Sequence, residues 1–308
     1  MSESIRIRID HKGYNSFGLY WAADTEKPVA NIIIMTGMEE HASRYDDFAK
    51  FLNKNGYNVY SIDAYGQGEN VLPDMSNLGI WPRSGFRRQV TINDKLVRML
   101  RVTCLPCYIF AHSMGSFMAQ DFIQRYALHV DKVVLCGSNK QSPFMMAIGY
   151  GLARILVRDS NRNKKAKFLN SLMFGGLSKS VKNAKTPYDW LSYNEENVNK
   201  YIADPLCGFG PNNGFCLEFI KGMNRLYKHR FIEKIKKDIE LFIISGDADP
   251  VSNMGKGVLK LEKMYKKYHL KNVKTKIYPN MRHEILNEVD HQIVYDDILN
   301  FFKGEAQE

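Results

Sequence analysis

Three residue types in one order carry the chemistry: a serine at Ser113, an acid at Asp249 and a histidine at His283. A serine hydroxyl is a weak nucleophile until a base within hydrogen-bond reach takes its proton, and that base needs a carboxylate to hold its tautomer. Such a set attacks a carbonyl and passes through an acyl-enzyme, with no metal or cofactor required. The spacing alone is uninformative, so the elements that would deliver each side chain decide whether the three can meet.

The run Tyr108-Ile109-Phe110-Ala111 fits a buried strand, and Met114, Phe117, Met118 and Phe122 then recur at helical spacing. Ser113 therefore sits on a sharp strand-to-helix turn, where it either presents a nucleophile or merely caps the helix. A second strand, Leu241 to Ser245, runs into Gly246-Asp247-Ala248-Asp249-Pro250. Pro250 biases Asp249 to an extended backbone that aims it off the strand, whereas Asp247 could cap the turn. A third strand ends at Tyr278 and leads into Pro279-Asn280-Met281-Arg282-His283-Glu284. One acid after a strand is usually a turn residue, and one histidine is usually a surface or core residue. Three such residues at three strand ends are better explained by a shared site. His112 is adjacent to the serine but projects differently from the turn, which suits packing or a structural hydrogen bond. His41 is better placed to stabilise its own loop.

Acyl transfer also needs donors for the developing oxyanion. The amide of Met114, just after the serine, is one. The strand Val29 to Met35 ends in Thr36-Gly37-Met38, and a turn at Gly37 would aim the amide of Met38 at Ser113. The alternative is a plain strand-to-helix turn.

Before and after these motifs, strands alternate with helices. An alternating pair, Ile5 to Ile9 and Leu19 to Ala22, opens the chain. The strands Val29 to Met35, Asn58 to Asp63, Tyr108 to Ala111 and Lys132 to Cys136 then read as buried parallel strands. The pattern predicts an α/β protein with a doubly wound, mostly parallel sheet and its site at the carboxyl ends of the strands. Between about 138 and 230 the alternation gives way to Met- and aromatic-rich helical stretches (Phe144 to Val157, Phe168 to Phe174, Phe215 to Leu226). The expected organisation is a core of 1–137 and 231–308 with a helical cap at 138–230 over the strand ends. The stretch from Phe144 to Val157 could line an acyl tunnel or pack on its own lobe. Its methionines would adapt to a flexible chain.

The 308 residues, 44% of them hydrophobic, suffice for one large core. No apolar run reaches the ~18 residues of a membrane span, and the N-terminus shows no signal-length apolar core, so a cytoplasmic location is expected. Five cysteines are an odd count for a disulfide framework. Cys104-Leu105-Pro106-Cys107 leads into a strand rather than a helix, which argues against a redox pair. The net charge of +10 attracts anions. No nucleic-acid fold accompanies the basic stretch Arg162 to Lys167, so it reads as a solvated face, with transient contact at an anionic membrane surface as a secondary meaning.

The motifs together resemble the α/β-hydrolase superfamily, and within it the monoglyceride lipase and lysophospholipase group, which includes serine aminopeptidase-like members. The matching stretches are Thr36 to Tyr45, Asp63 to Gly68, Ala111 to Gly115, Asp189 to Ser192, Asp204 to Phe209, Gly246 to Pro250 and Met281 to His283. The resemblance implies an α/β-hydrolase fold with a triad of Ser113, Asp249 and His283. It also implies an oxyanion hole from the Met38 and Met114 amides and a cap that accepts a lipid or aryl ester. Thr36, Tyr65 and Ala111 stand where the group usually has histidine, arginine and glycine, and the first two could reshape the pocket rim. A small-molecule, lipid-like ester is the expected substrate. An aminopeptidase-like amidase or a small- or aryl-ester carboxylesterase is the alternative. The amidase would need a cap carboxylate near Ser113, for which Glu195, Glu196 and Glu218 are the candidates.

Overall fold

The computed structural model describes residues 3–11 and 13–305. Eight strands form one sheet: β1 (Ile5–His11), β2 (Tyr14–Trp21), β3 (Ala30–Met35), β4 (Tyr57–Ile62), β5 (Cys107–His112), β6 (Lys132–Cys136), β7 (Glu240–Gly246) and β8 (Asn272–Tyr278). Their spatial order is β1-β2-β4-β3-β5-β6-β7-β8. The first two pairings are antiparallel and all the others parallel. The expected α/β-hydrolase sheet is thus present.

The helices are α1 (Asp46–Lys54), α2 (Gly85–Leu100), α3 (Met114–Tyr126), α4 (Pro143–Leu156), α5 (Lys167–Phe174), α6 (Glu195–Ala203), α7 (Asn213–Leu226), α8 (His229–Ile232), α9 (Lys256–Lys267) and α10 (Gln292–Lys303). Period-2 alternation along the central strands divides the core into two layers. Ile32, Ile34 and Phe110 face a layer shared with Phe48, Leu52 and Phe302 of α1 and α10. Ile33, Met35, Ile109 and Ala111 face the opposite layer, with residues of α2, α3, α7 and α9. Burial on both faces explains why these strands read as continuous apolar runs rather than as alternating ones.

Helix α3 behind the serine is buried over almost its whole length, Met114 to Gln124, because it is wedged between the sheet and α7. The segment between β6 and β7 carries α4 to α8, including α6, whose sequence is too polar to have shown an apolar stripe in the chain. Helix α6 starts at Asn194, whose side chain accepts from the amides of Glu196 and Asn197. Helix α4 also has its start signals, with Pro143 in the first turn and the Ser142 hydroxyl accepting from the Met145 amide. Apart from Ala153, however, α4 leaves its residues partly or fully exposed.

Candidate active site

Ser113 leaves β5 with φ 51° and ψ −119°, a conformation that is costly for a residue with a side chain. The turn is held by its surroundings. The Ser113 amide donates to Cys136 O on β6 at 2.9 Å, and its carbonyl accepts from the Ser116 hydroxyl at 2.6 Å. At Gly115 a Cβ would overlap the Met35 carbonyl, so only glycine lets α3 lie this close to the end of β3. Ala111, the departure from the usual glycine, is fully buried within β5 and is accommodated between Met35 and Leu135. The amides of Met114 and Gly115 open α3 and have no acceptor within the helix, so the positive end of its dipole lies at the serine.

Asp249 and His283 arrive from β7 and β8. Asp249 is wholly buried, and its Oδ1 lies 2.9 Å from His283 Nδ1. The same carboxylate accepts from the Val251 amide at 2.8 Å and from the Ser245 hydroxyl at 3.0 Å. Burial disfavours its charge, yet His283 and these donors hold its carboxyl below the usual carboxylate range. With Nδ1–H donated to Asp249, His283 keeps a lone pair on Nε2, a buried atom with no hydrogen-bond partner. Asp247 is exposed and takes no part.

The His283 loop passes the end of β6, where Gly137 follows the strand. Gly137 makes room for it: its φ is +61°, and a Cβ there would stand 2.7 Å from His283 Cε1. Trp190 covers the imidazole from the other side, with ring centroids 5.2 Å apart. Gly137 was not singled out by sequence reasoning, although a glycine directly after a buried strand was a readable signal, and Trp190 lies in the matching stretch Asp189 to Ser192 without a role having been read for it.

Next to the serine turn lies a buried charge network that no local pattern in the chain foretells. The Arg44 guanidinium makes two 2.7 Å bonds to Glu284 and one of 2.9 Å to Glu40. Glu40 also accepts from Gly37 N, from Tyr45 Oη at 2.8 Å and from His112 Nδ1 at 3.1 Å. The other ring nitrogen of His112 lies 3.2 Å from the His283 carbonyl. Both nitrogens of His112 thus face acceptors, which is the arrangement of an imidazolium. Burial opposes that charge, but Glu40 raises the His112 pKa above its ordinary value. Glu40 and Glu284 are in turn lowered, by His112 and Arg44 respectively, against the opposing effect of burial. The network ties the loop after β3, the turn after β5 and the loop after β8 into one unit. His112 therefore has the structural role expected of it. His41 bonds Asp204 at 2.7 Å and Ser43 at 2.7 Å, linking its loop to the segment above the sheet.

A model of the family described as serine aminopeptidase, S33, matches residues 26–290 of the chain. The chain belongs to that family. Among its relatives is a monoacylglycerol lipase of Mycolicibacterium smegmatis, 26% identical over 288 residues and covering 91% of this chain and 90% of its own. The human monoglyceride lipase is 25% identical over 299 residues, covering 92% and 87%. Among solved structures, a thermostable carboxyl esterase from Bacillus coagulans in complex with glycerol superposes with a TM-score of 0.89 at 25% identity, covering 99% of both chains. The resemblance read from the motifs, to the monoglyceride lipase and lysophospholipase group, is borne out.

Family membership directs attention to the cavity above the sheet. It has a volume of about 790 Å³, and its lining includes Ser113, His283, Met38 and Met114. Met145, Met146, Leu152, Leu172 and Met173 from α4 and α5 line it as well. Thr36 and Tyr65, expected to reshape the rim, are not in the lining. Both are buried, and Tyr65 packs edge-on against Tyr14. The carboxylates sought for an amidase are also elsewhere. Glu195 and Glu196 are exposed and paired with Lys185 and Lys200, and Glu218 is buried against Arg162. Of the cysteine pair, Cys104 is exposed, whereas Cys107 begins β5 and burial pushes its thiol up to about 11. Among the described residues one group, His41, Asp204 and Cys207, has ligand atoms within 4.8 Å of one another, and the His41–Asp204 hydrogen bond already occupies two of them. Among the described residues no helix is long and apolar enough to cross a membrane.

Proposed function

We propose that the protein hydrolyses carboxylic esters of the monoacylglycerol or lysophospholipid type through an acyl-enzyme on Ser113. His283 Nε2 takes the serine proton and returns it to the leaving alcohol. Asp249 fixes the tautomer and stabilises the imidazolium that forms. The amides of Met38 and Met114 receive the oxyanion. Water then releases the acid by the same proton transfers. The segment 138–230 acts as the cap, inserted between the core segments 1–137 and 231–308, with α7 as its seam on α2 and α3.

The observation that carries this reading is that one cavity is lined by Ser113, by His283, whose Nε2 has no hydrogen-bond partner among the described residues, and by methionine and leucine side chains of α4 and α5. Such an apolar lining suits a flexible acyl chain, since methionine side chains repack around different lengths. The test is Ser113→Ala, measured by hydrolysis of a 1-monoacylglycerol and by labelling with a serine-directed phosphonate. Turnover is expected to fall by about 10⁴-fold or more with labelling lost and the fold retained. Labelling that persists at another residue would reject the assignment.

A further inference from the structure

Three glutamates among the described residues line the cavity: Glu39, Glu40 and Glu284. Two of them are committed. Glu40 accepts from Gly37, Arg44, Tyr45 and His112, and Glu284 from Arg44, Asn197 and Asn287. Glu39 is different. The groups that act on its carboxyl are the backbone of Gly210 and, at longer range, the Lys165 ammonium, which itself donates to the carbonyls of Phe209 and Gly210. A carboxylate offers about four lone-pair sites, so Glu39 retains capacity toward whatever enters the cavity.

Its backbone points the same way. Glu39 has φ +58°, in the left-handed region that glycine adopts freely and a glutamate adopts at a cost of order 1 kcal/mol or more. The surroundings impose that conformation. Gln67 accepts from the Glu39 amide at 3.2 Å, and the Gly208 amide donates to its carbonyl at 3.2 Å. A strained position that keeps a large ionisable side chain, one residue past the Met38 amide, is a position at which that side chain is used.

Two kinds of residue line the cavity. One is the methionine and leucine side chains of α4 and α5, and the other is Glu39 with its neighbours Tyr188, Tyr201, Gly208 and Gly210. The tyrosine hydroxyls are engaged with backbone there: Tyr188 Oη donates to Gly208 O at 2.9 Å, and Tyr201 Oη accepts from Gly208 N at 3.1 Å. Glu39 is consequently the strongest hydrogen-bond acceptor left in that group. Burial lifts its pKa to about 7, against the lowering effects of Gly210 and Lys165. Tyr188, Tyr201 and Cys216 are the other titratable groups that feel its charge.

We propose that Glu39 is the head-group determinant of this enzyme: its carboxyl accepts a hydrogen bond from a hydroxyl or an ammonium on the alcohol portion of the ester while the acyl chain lies along α4 and α5. This rests on the ester-hydrolase reading given above and assigns the selectivity of the same site. The test compares three esters of one acyl chain: methyl, glyceryl and 2-(dimethylamino)ethyl. The readout is the ratio of kcat/KM for each donor-bearing ester to that for the methyl ester, which cancels any general damage to the site. In Glu39→Ala at least one ratio is expected to fall about tenfold or more, as for loss of a hydrogen bond to a charged acceptor. Glu39→Gln separates the sources, since it keeps an acceptor for a hydroxyl but removes the charge that an ammonium requires. Loss of the glyceryl ratio in Glu39→Ala alone identifies a polyol head group. Loss of the aminoethyl ratio in both variants identifies a cationic one. Ratios within twofold of the parent in both variants would overturn the proposal, including the case in which all three esters slow together. Failure of the parent enzyme to cleave any of the three would instead remove the ester-hydrolase reading.

Discussion

The two halves of the segment above the sheet are built on different principles. Residues 187–210 are bolted down by polar bonds. Arg282 donates to the Asp189 carbonyl at 2.6 Å, and Glu288 accepts from the Ser192 hydroxyl at 2.7 Å and the Tyr193 amide at 2.9 Å. Asn197 bonds both Arg44 and Glu284, and Asp204 bonds His41. Helices α4 and α5 have little of this, and the polar bonds of 143–174, such as Arg162 to Glu218 and Lys165 to the Phe209 and Gly210 carbonyls, lie in the link between them. Phe144, Ile155 and Phe168 are 72%, 70% and 62% exposed, so α4 and α5 present apolar side chains to solvent as well as to the cavity. The difference separates two tasks. On the function proposed above, the half beside His283 must be held rigid, whereas α4 and α5 need only offer an adaptable apolar surface.

The comparison breaks most severely at Arg44. Arg44→Met leaves Glu40 and Glu284 facing each other without their shared cation, and removal of one partner from a buried pair typically destabilises by ~3–5 kcal/mol. Chemical denaturation is expected to show that loss, with turnover falling at least in proportion. Next in size is Glu288→Gln, which weakens the anchor on residues 192–194. A loss of about 1–3 kcal/mol is expected, as for a hydrogen bond to a buried charge, and early proteolytic cleavage within 187–210 would report the same loosening.

Acid should attack the bolted half first. The carboxyls of Glu40, Glu284 and Asp249 have pKa values lowered by folding, so their contribution to stability is present above the ordinary carboxylate values and is lost as pH falls below them. Glu39 and Asp63 act in the opposite sense. Each is raised to about 7 by burial, so their contribution is complete below the ordinary carboxylate values and fades as pH rises through 7. Denaturation midpoints between pH 3 and 8 should therefore pass through a maximum, and Glu39→Gln should flatten the decline on the neutral side. The smallest stability effect belongs to the loose half. Leu172→Ser on α5, a 59% exposed cavity-lining position, should change stability by no more than about 0.5 kcal/mol. It should nevertheless lower kcat/KM for long acyl chains relative to short ones by several-fold, since each buried methylene is worth about 0.8 kcal/mol. An unchanged chain-length profile would show that the acyl group lies elsewhere.

The sheet was legible because its central strands are buried on both faces and read as unbroken apolar runs, from Ile32-Ile33-Ile34 through Leu241-Phe242-Ile243-Ile244. Ser113, Asp249 and His283 could be proposed from the sequence for a related reason: each lies shortly after a strand, and parallel strands put their carboxyl ends on one edge. Helix α6 was not, since Glu195-Glu196-Asn197 looks like surface until Asn197 is seen bonded to Glu284. The network around Arg44 was equally hidden. Its members lie 240 residues apart, and nothing local marks a carboxylate as buried. Glu39 was passed over because a glutamate in a loop after a strand is ordinarily solvated, and only its left-handed backbone and its place in the cavity distinguish it.

The order of the strands has a consequence for the chain as it is made. The serine turn is complete once β3, β5 and β6 have paired, but Asp249 and His283, proposed as acid and base, follow β7 and β8, the last two of the described strands to leave the ribosome. A nascent or truncated chain that ends before β7 would hold a strained serine with nothing to deprotonate it. On the roles proposed for these residues, the proton transfers thus require the finished sheet.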